Sequence, residues 1–503
     1  MLSQYRRLYA LALVLTAGVC APGCDRASGP PAKPVTLRIG LGAPPQGSRG
    51  TPLNNVVSVI SAEPWLTSLP DGKPTDKLAS DWRWDESRTT LHLTLRKDVF
   101  FHDGTPLTPD LAVPAFKQSV QATSNAPASF ASVRSVSSNG DGIDVKLSEP
   151  NSFFLADLAQ TAVRLPGKPQ VTTGPFRVTQ SDPQQVSLQA FDRYYRGHPS
   201  LAAVTITNYP TVRNAWAALM RDETDMLYEV GRDAEEFVQA ESKVKTYSFP
   251  RPYYNVLVFN QRHPILRRTD VRHALSQAVD REALIREAMK GRGRRADGPL
   301  LPEHWAHSTA ARPFEFNPTA ARQLLEQGRL RIQPSRDGQM PSRFAITCLV
   351  WNDPRFERLG VLVQKQLADI GVEMRLVSLP LDQLGDRVAK GDFDVFLMEM
   401  AGRSLGWVYD FWHSHDKGLF DSGYRSADAV LDRIKAAGSD DEVRQGVAEF
   451  QKILQEDPPG VFLAWHMTSR AVSTKFDVAF EADRDIFGNV WKWRPAGTPQ
   501  AAR

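Results

Sequence analysis

Cysteine is scarce in this chain. Three are present in 503 residues, and two of them, Cys20 and Cys24, stand in the first two dozen positions. Only Cys348 remains for the body, so no internal disulfide staples it and the fold must be held by its core. Cys348 lies in the strand-like run RFAITCLVW and reads as a small buried hydrophobe. No GxSxG-like or Cys/His signature surrounds it, which argues against a nucleophile. Charge of one sign is also missing. Lys plus Arg number 61 and Asp plus Glu 57, a net charge of +4, with Arg spread along the whole length. A nucleic-acid binder concentrates its basic residues on a stripe, so no nucleic-acid partner is expected. The short run GRGRR at 291–295 reads as a solvated loop. There is no tandem repeat, which excludes a solenoid or propeller. GLGAPPQG at 40–47 lacks the lysine of a phosphate-binding loop.

What is present begins with a leader. Arg6 and Arg7 precede an apolar stretch at 8–19. That is the length of a signal-peptide core and shorter than the roughly 20 residues of a membrane span. Cysteines follow at once, in AGVC and APGC. A cysteine after such a core points to a lipoprotein signal, in which the thiol takes a diacylglycerol and becomes the new N-terminus. Cleavage needs a small residue before the cysteine. Gly23 meets this and Val19 does not, so Cys24 is the expected lipidation site, with residues 1–24 as signal peptide. Ordinary secretory cleavage or an uncleaved anchor are the alternatives. Residues 25–34, DRASGPPAKP, read as a flexible tether.

From residue 35 onward short β-rich runs alternate with helical ones. Strands are predicted at 35–41, 91–95, 143–147, 186–190, 204–209, 255–260, 344–351, 372–376 and 394–399. Helices are predicted at 213–220, 272–289, 319–327, 357–371, 381–389, 427–437 and 442–456. In the 357–371 segment apolar residues recur every three or four positions, and Gly371 stands where a helix stops. The alternating run VEMRLVSL follows, completing a strand–helix–strand unit and implying mixed or parallel sheets covered by helices. The fold class is therefore α/β. With 42% apolar and 23% charged residues the body is globular, and its length allows about two to four domains.

The run LASDWRWDESRTTLHLTLRKDVFFHDGTPLTPD at 78–110 resembles a signature of the family 5 extracellular solute-binding proteins, receptors of peptide- and nickel-type ABC importers. The likeness is carried by Leu78, Ala79, Trp82, Leu95, Arg96, Val99, Phe101, His102, Asp103, Gly104, Pro106, Leu107 and Thr108. Further fragments follow in the family's order: TTGPFRV at 172–178, YYRGHPSLAAVTI at 194–206, the 255–281 segment, QKQLADIGVEMRL at 364–376, GDFDV at 391–395 and EDPPGVFL at 456–463. The resemblance implies a type II periplasmic-binding-protein fold. Lobe I would comprise 35–255 with an extra subdomain at 52–165, lobe II 256–474, and 475–503 would return to lobe I. The subdomain is shortened between Phe116 and Ile143. Ligand would be enclosed between the lobes, and the closed form presented to ABC permease subunits by a monomer held at the membrane by its lipid. No enzyme activity and no cofactor are expected. A family member that has lost transport and serves as a sensor or structural lipoprotein is the alternative.

Several residues invite a chemical reading. His102–Asp103 resembles an acid/base dyad but sits in a turn of the family motif. His413 and His415 in HSH lack a third metal ligand at standard spacing. In peptide-binding relatives an acid after the GDFDV-like strand pairs with the peptide ammonium; here that position falls near Arg403, and no acid occupies 401–406. Asp410 or Glu399 could substitute. An inward Arg403 would favour a carboxylate or phosphate through its planar fork of donors. By family position Trp351, Asn352, Trp407, Tyr409 and Tyr254 are the expected ligand contacts, with Gln46 added from lobe I.

Overall fold

The computed structural model of the chain describes residues 34–42, 53–121, 128–231, 235–310, 312, 314–334, 341–414, 420–482 and 484–498. Gln46, Cys20, Cys24 and the leader lie outside the described residues, as do His415 and nearly all of the 25–34 tether.

One mixed sheet of eleven strands runs through the body. Its order from one edge is Val372–Leu379, Phe344–Trp351, Val395–Ala401, Val244–Phe259, Gly460–Ser473, Met226–Leu227, Thr36–Gly42, Ala203–Tyr209, Gln185–Ala190 and Phe176–Ser181. Gly293–Arg295 pairs with Gly460–Ser473 off this path. Phe344–Trp351 is parallel to both of its neighbours, and Thr36–Gly42 is parallel to Ala203–Tyr209 and Met226–Leu227. The strand–helix–strand unit expected at 344–379 is present, with Asp353 capping the intervening helix Pro354–Ala368.

The two long strands belong to both halves of the sheet. Residues 244–250 pair with 473–467, and 254–258 pair with 465–460. The register breaks between Pro250 and Tyr254. Pro250 and Pro252 have no N–H to give a ladder, so the run FPRPYY loosens the pairing just where the chain passes from one half to the other. Beyond the break, 253–259 pair with 401–395. Ala471 and Val472 pair with Leu227 and Met226, so 467–473 already run with the first half, ahead of the expected boundary at 474/475.

Each half has its own core. One packs Leu37, Ile39, Val204, Ile206, Phe487 and Trp493. A smaller cluster in the same half packs Ala215, Leu219, Leu227 and Ala471. The other half has two large cores on opposite faces of its sheet: one around Leu257, Leu275, Val363 and Leu397, the second around Tyr254, Phe396, Trp412 and Trp465. Burying each such side chain is worth about 1.5–3 kcal/mol. The 52–165 segment forms a separate four-stranded antiparallel sheet, ordered Ala79–Trp84, Thr90–Leu95, Gly142–Leu147 and Val133–Asn139. The helix Pro109–Gln121 covers it, and Trp65 packs on Phe116 with ring centroids 5.4 Å apart.

Three expectations change. The helix predicted at 272–289 is two helices, Thr269–Gln277 and Arg281–Glu287, because the Asp280 side chain accepts from the Ala283 amide and starts a new one. The segment after residue 403, read as a loop, contains the helix Leu405–Trp412. The strand predicted at 255–260 is the end of the far longer strand Val244–Phe259.

Candidate ligand cleft

A cavity of about 1140 Å³ opens at the register break and takes its walls from both halves and from the 52–165 segment. Pro250, Arg251, Pro252 and Tyr253 form its floor. In a strand, alternate side chains face opposite ways. Tyr253 faces the cavity, while Tyr254 is fully buried in the core, where Trp412 Nε1 donates to its hydroxyl at 3.1 Å.

Arg403 and Trp351 both line the cavity. Arg403 Nη2 donates to the Tyr253 hydroxyl, and its guanidinium carbon lies 4.9 Å from the Tyr253 ring centroid. Arg251 approaches the same ring at 5.0 Å, with its Nη1 3.9 Å from Glu229. Two guanidinium groups thus share one aromatic ring at the crossing point. A third, Arg355, enters from the first turn of the Pro354–Ala368 helix, pinned by Asp353 through Nε at 3.0 Å and Nη2 at 2.8 Å. Burial opposes its charge, but the Asp353 carboxylate outweighs this and keeps the guanidinium above its ordinary pKa. Arg470 is spent internally: Asp485 grips it at 3.1 and 2.6 Å, and it lies 3.6 Å over the Tyr228 ring.

Acids are present as well. Glu399 lines the cavity with an oxygen 3.1 Å from His466 Nε2, so the inward Glu399 weighed from sequence is observed. His304 also lines it, and burial pushes its pKa down to about 4, leaving a neutral imidazole near neutrality.

The other expected contacts lie elsewhere. Asn352 is exposed and is not in the cavity wall. Trp407 stacks on Phe411 at 5.7 Å, on the Leu405–Trp412 helix. Tyr409, on the same helix, donates to Asp432 at 2.9 Å and packs against Phe153 and His413. The helix turns these rings into a packed interface, which a loop would not have done. His413 sits 3.2 Å from Asp432. Among the described residues no group of three His, Cys, Asp or Glu is placed to hold a metal ion. His102 is a structural tie: its Nε2 donates to the Gly174 carbonyl at 2.9 Å, and burial lowers its pKa to about 4. Arg251, Tyr253 and Arg355 were missed in the sequence; the Asp-Pro-Arg run at 353–355, a helix start carrying a cation, was the one available signal.

The family model for bacterial extracellular solute-binding proteins, family 5, matches residues 73–418. The oligopeptide-binding protein AppA of Bacillus subtilis is 26% identical over 442 residues, covering 79% of each chain. Among solved structures, NikA from Brucella suis in complex with Fe(III)-EDTA superposes with a TM-score of 0.79 at 18% identity, over 92% of this chain and 99% of that one. NikZ from Campylobacter jejuni in complex with Ni(L-His) gives 0.73 at 19% identity, over 91% and 99%. These likenesses place the body in the two-lobed binding-protein fold. With the model matched across most of the body, this chain belongs to the family 5 bacterial extracellular solute-binding proteins.

Proposed function

We propose that the protein captures a small solute carrying a carboxylate or similar anionic group between its lobes and delivers it to the permease of an ABC importer. The lobes of this reading are 35–255 with 475–503, and 256–474, hinged where the long strands cross, with 467–473 already pairing with the first of them. The observation that carries the ligand class is the Arg403–Tyr253–Arg251 cluster in the cavity, at the place where peptide-binding relatives hold an ammonium-binding acid. The Arg403 guanidinium is exposed at the cavity wall, and a planar fork of this kind matches a carboxylate bidentately. Glu399 supplies a partner for a cationic end of the same solute, so a peptide or amino-acid conjugate fits the charge pattern. The AppA and NikZ relatives, a peptide binder and a Ni(L-His) complex, carry ligands of this kind. Export, lipidation at Cys24 and monomeric action at the membrane surface complete the reading.

Native mass spectrometry of the protein from residue 27 onward, purified without denaturant, tests it. A bound small molecule lost on denaturation is expected. Arg403→Ala should weaken its rebinding by about 10-fold or more, the usual cost of a charge-assisted hydrogen bond, with an unchanged melting temperature. A protein that is empty and shows no thermal shift with peptides or anions would favour the non-transporting sensor.

A further inference from the structure

The 52–165 subdomain is chemically joined to the first half of the molecule, yet it docks on the second. Ser152 donates from its amide to the Lys435 carbonyl at 2.8 Å and from its hydroxyl to the Ile434 carbonyl at 2.6 Å. Lys435 pairs with Glu149 at 2.7 Å, and Phe153 packs on Tyr409 with centroids 5.7 Å apart. On the other side of the cavity Lys73 pairs with Asp440 at 2.7 Å, and the Trp305 amide donates to the Asp71 carbonyl at 2.9 Å. Any opening of the cleft at the strand crossing must break this interface.

At its centre lies Asp157, 1% exposed, on the short helix Phe154–Leu158. Ser129 donates to one of its oxygens at 2.6 Å from within the subdomain. Ser404 donates to the other at 3.2 Å from the second half, at the start of the Leu405–Trp412 helix. Gly406 admits the close approach: a Cβ there would stand 3.1 and 3.2 Å from the two carboxyl oxygens. Leu66–Ser68, Ala128–Ser132 and Leu405–Trp412 pack against the Asp157 helix, and Trp84 of the Ala79–Trp84 strand packs on its Phe154. The first two bring no titratable side chain, and the charged residues of the strand, Asp81 and Arg83, are exposed. The Leu405–Trp412 helix brings Asp410, a second acid, and the Tyr409 phenol, which donates to Asp432. Among the described residues no cation pairs with Asp157. The carboxyl is therefore enclosed by two hydroxyls with a second acid nearby.

We infer that closure of the cleft takes up a proton at Asp157, so that the two lobes hold each other, and their solute, more firmly as the surroundings become mildly acidic. This rests on the two-lobe capture proposed above and adds its regulation. Burial, the dominant cause, together with Asp410 raises the carboxyl to about 7 against the pull of the two serines. In an open cleft the group returns to the ordinary carboxylate range near 4. The closed form thus binds the extra proton between about pH 4 and 7, and each pH unit lost there shifts the closed-to-open ratio up to about tenfold towards closed. Above pH 7 both forms are ionised and closure bears its full electrostatic cost.

The test uses spin labels on Ser137→Cys and Lys452→Cys, with buried Cys348 left unlabelled, and reads their spacing without solute in buffers from pH 4.5 to 8.5. The wider spacing should gain population as pH rises through 5–7. Asp157→Asn should abolish that dependence and stay closed at pH 8. Ser404→Ala, which removes one donor to the ionised carboxyl, should move the transition to higher pH and serves if Asp157→Asn fails to fold. A spacing that ignores pH, or an Asp157→Asn or Ser404→Ala curve identical to wild type, overturns the latch whether or not a solute co-purifies. Failure to co-purify any solute, with the pH response intact, overturns only the capture reading.

Discussion

Of the buried aspartates in this molecule, Asp353 and Asp157 keep opposite company. Asp353, 0% exposed, starts the Pro354–Ala368 helix and holds Arg355 through three donors, two from the guanidinium and one from the backbone amide. Asp157, 1% exposed, has two serine hydroxyls and a second acid nearby. The same side chain at the same depth is thus held by a guanidinium in one region and by hydroxyls in the other, where burial raises it. Depth sets the cost of the charge, and the partner decides whether the charge stays. The first arrangement fixes a cation in the cavity wall, and the second lies between the 52–165 segment and the Leu405–Trp412 helix.

The comparison can be broken most severely at Asp353. Asp353→Ala removes a helix cap and leaves Arg355 without its counterion; because Arg355 is partly exposed, the expected loss is about 2–4 kcal/mol, read from the urea midpoint. A variant that kept wild-type stability would show the pair to be ornamental. Arg355→Met removes the two guanidinium donors to Asp353 and keeps the backbone one, so stability should fall by about 1–2 kcal/mol in the urea midpoint. An unchanged midpoint would show that the guanidinium adds nothing to the helix start. The other side of the comparison is tested by Asp157→Asn. An acid with a raised native pKa is fully tolerated below its unfolded value near 4 and costs stability as pH rises through 7. The neutral amide should melt with wild type near pH 4 and above it at pH 8, by up to about 4 kcal/mol for a carboxyl raised from near 4 to about 7. A variant less stable than wild type at pH 8 would show that the serines need the anion.

Much of the fold was legible because it is local. The 344–379 unit shows its helix by three- and four-residue spacing and its strands by alternation, and the structure has both strands and the helix between them. The long strands were only half read. FPRPYYN looks like an interruption, and it is one, but the strand resumes on the far side because Val395–Ala401 and Gly460–Ser473 receive it. The site was harder. Choosing Tyr254 over Tyr253 is an error of one residue, and in a period-two element one residue is the difference between core and cleft. Trp407 and Tyr409 were placed in the cleft as loop residues, but the helix turned them onto Phe411 and Phe153.

The sequence by itself determined the class of the molecule: α/β from its periodicities, a body without disulfides from its cysteines, and membership of a binding-protein family from ordered motifs between 78 and 463. Those are properties of neighbouring residues, whose spacing survives in one dimension. Only the tertiary structure decided that Arg251, Arg355 and Arg403 line one cavity, and that Asp157 faces Ser404 across 247 positions of chain. A cleft and an interface are made by bringing distant segments together, and the charge a buried group carries depends on those neighbours in space.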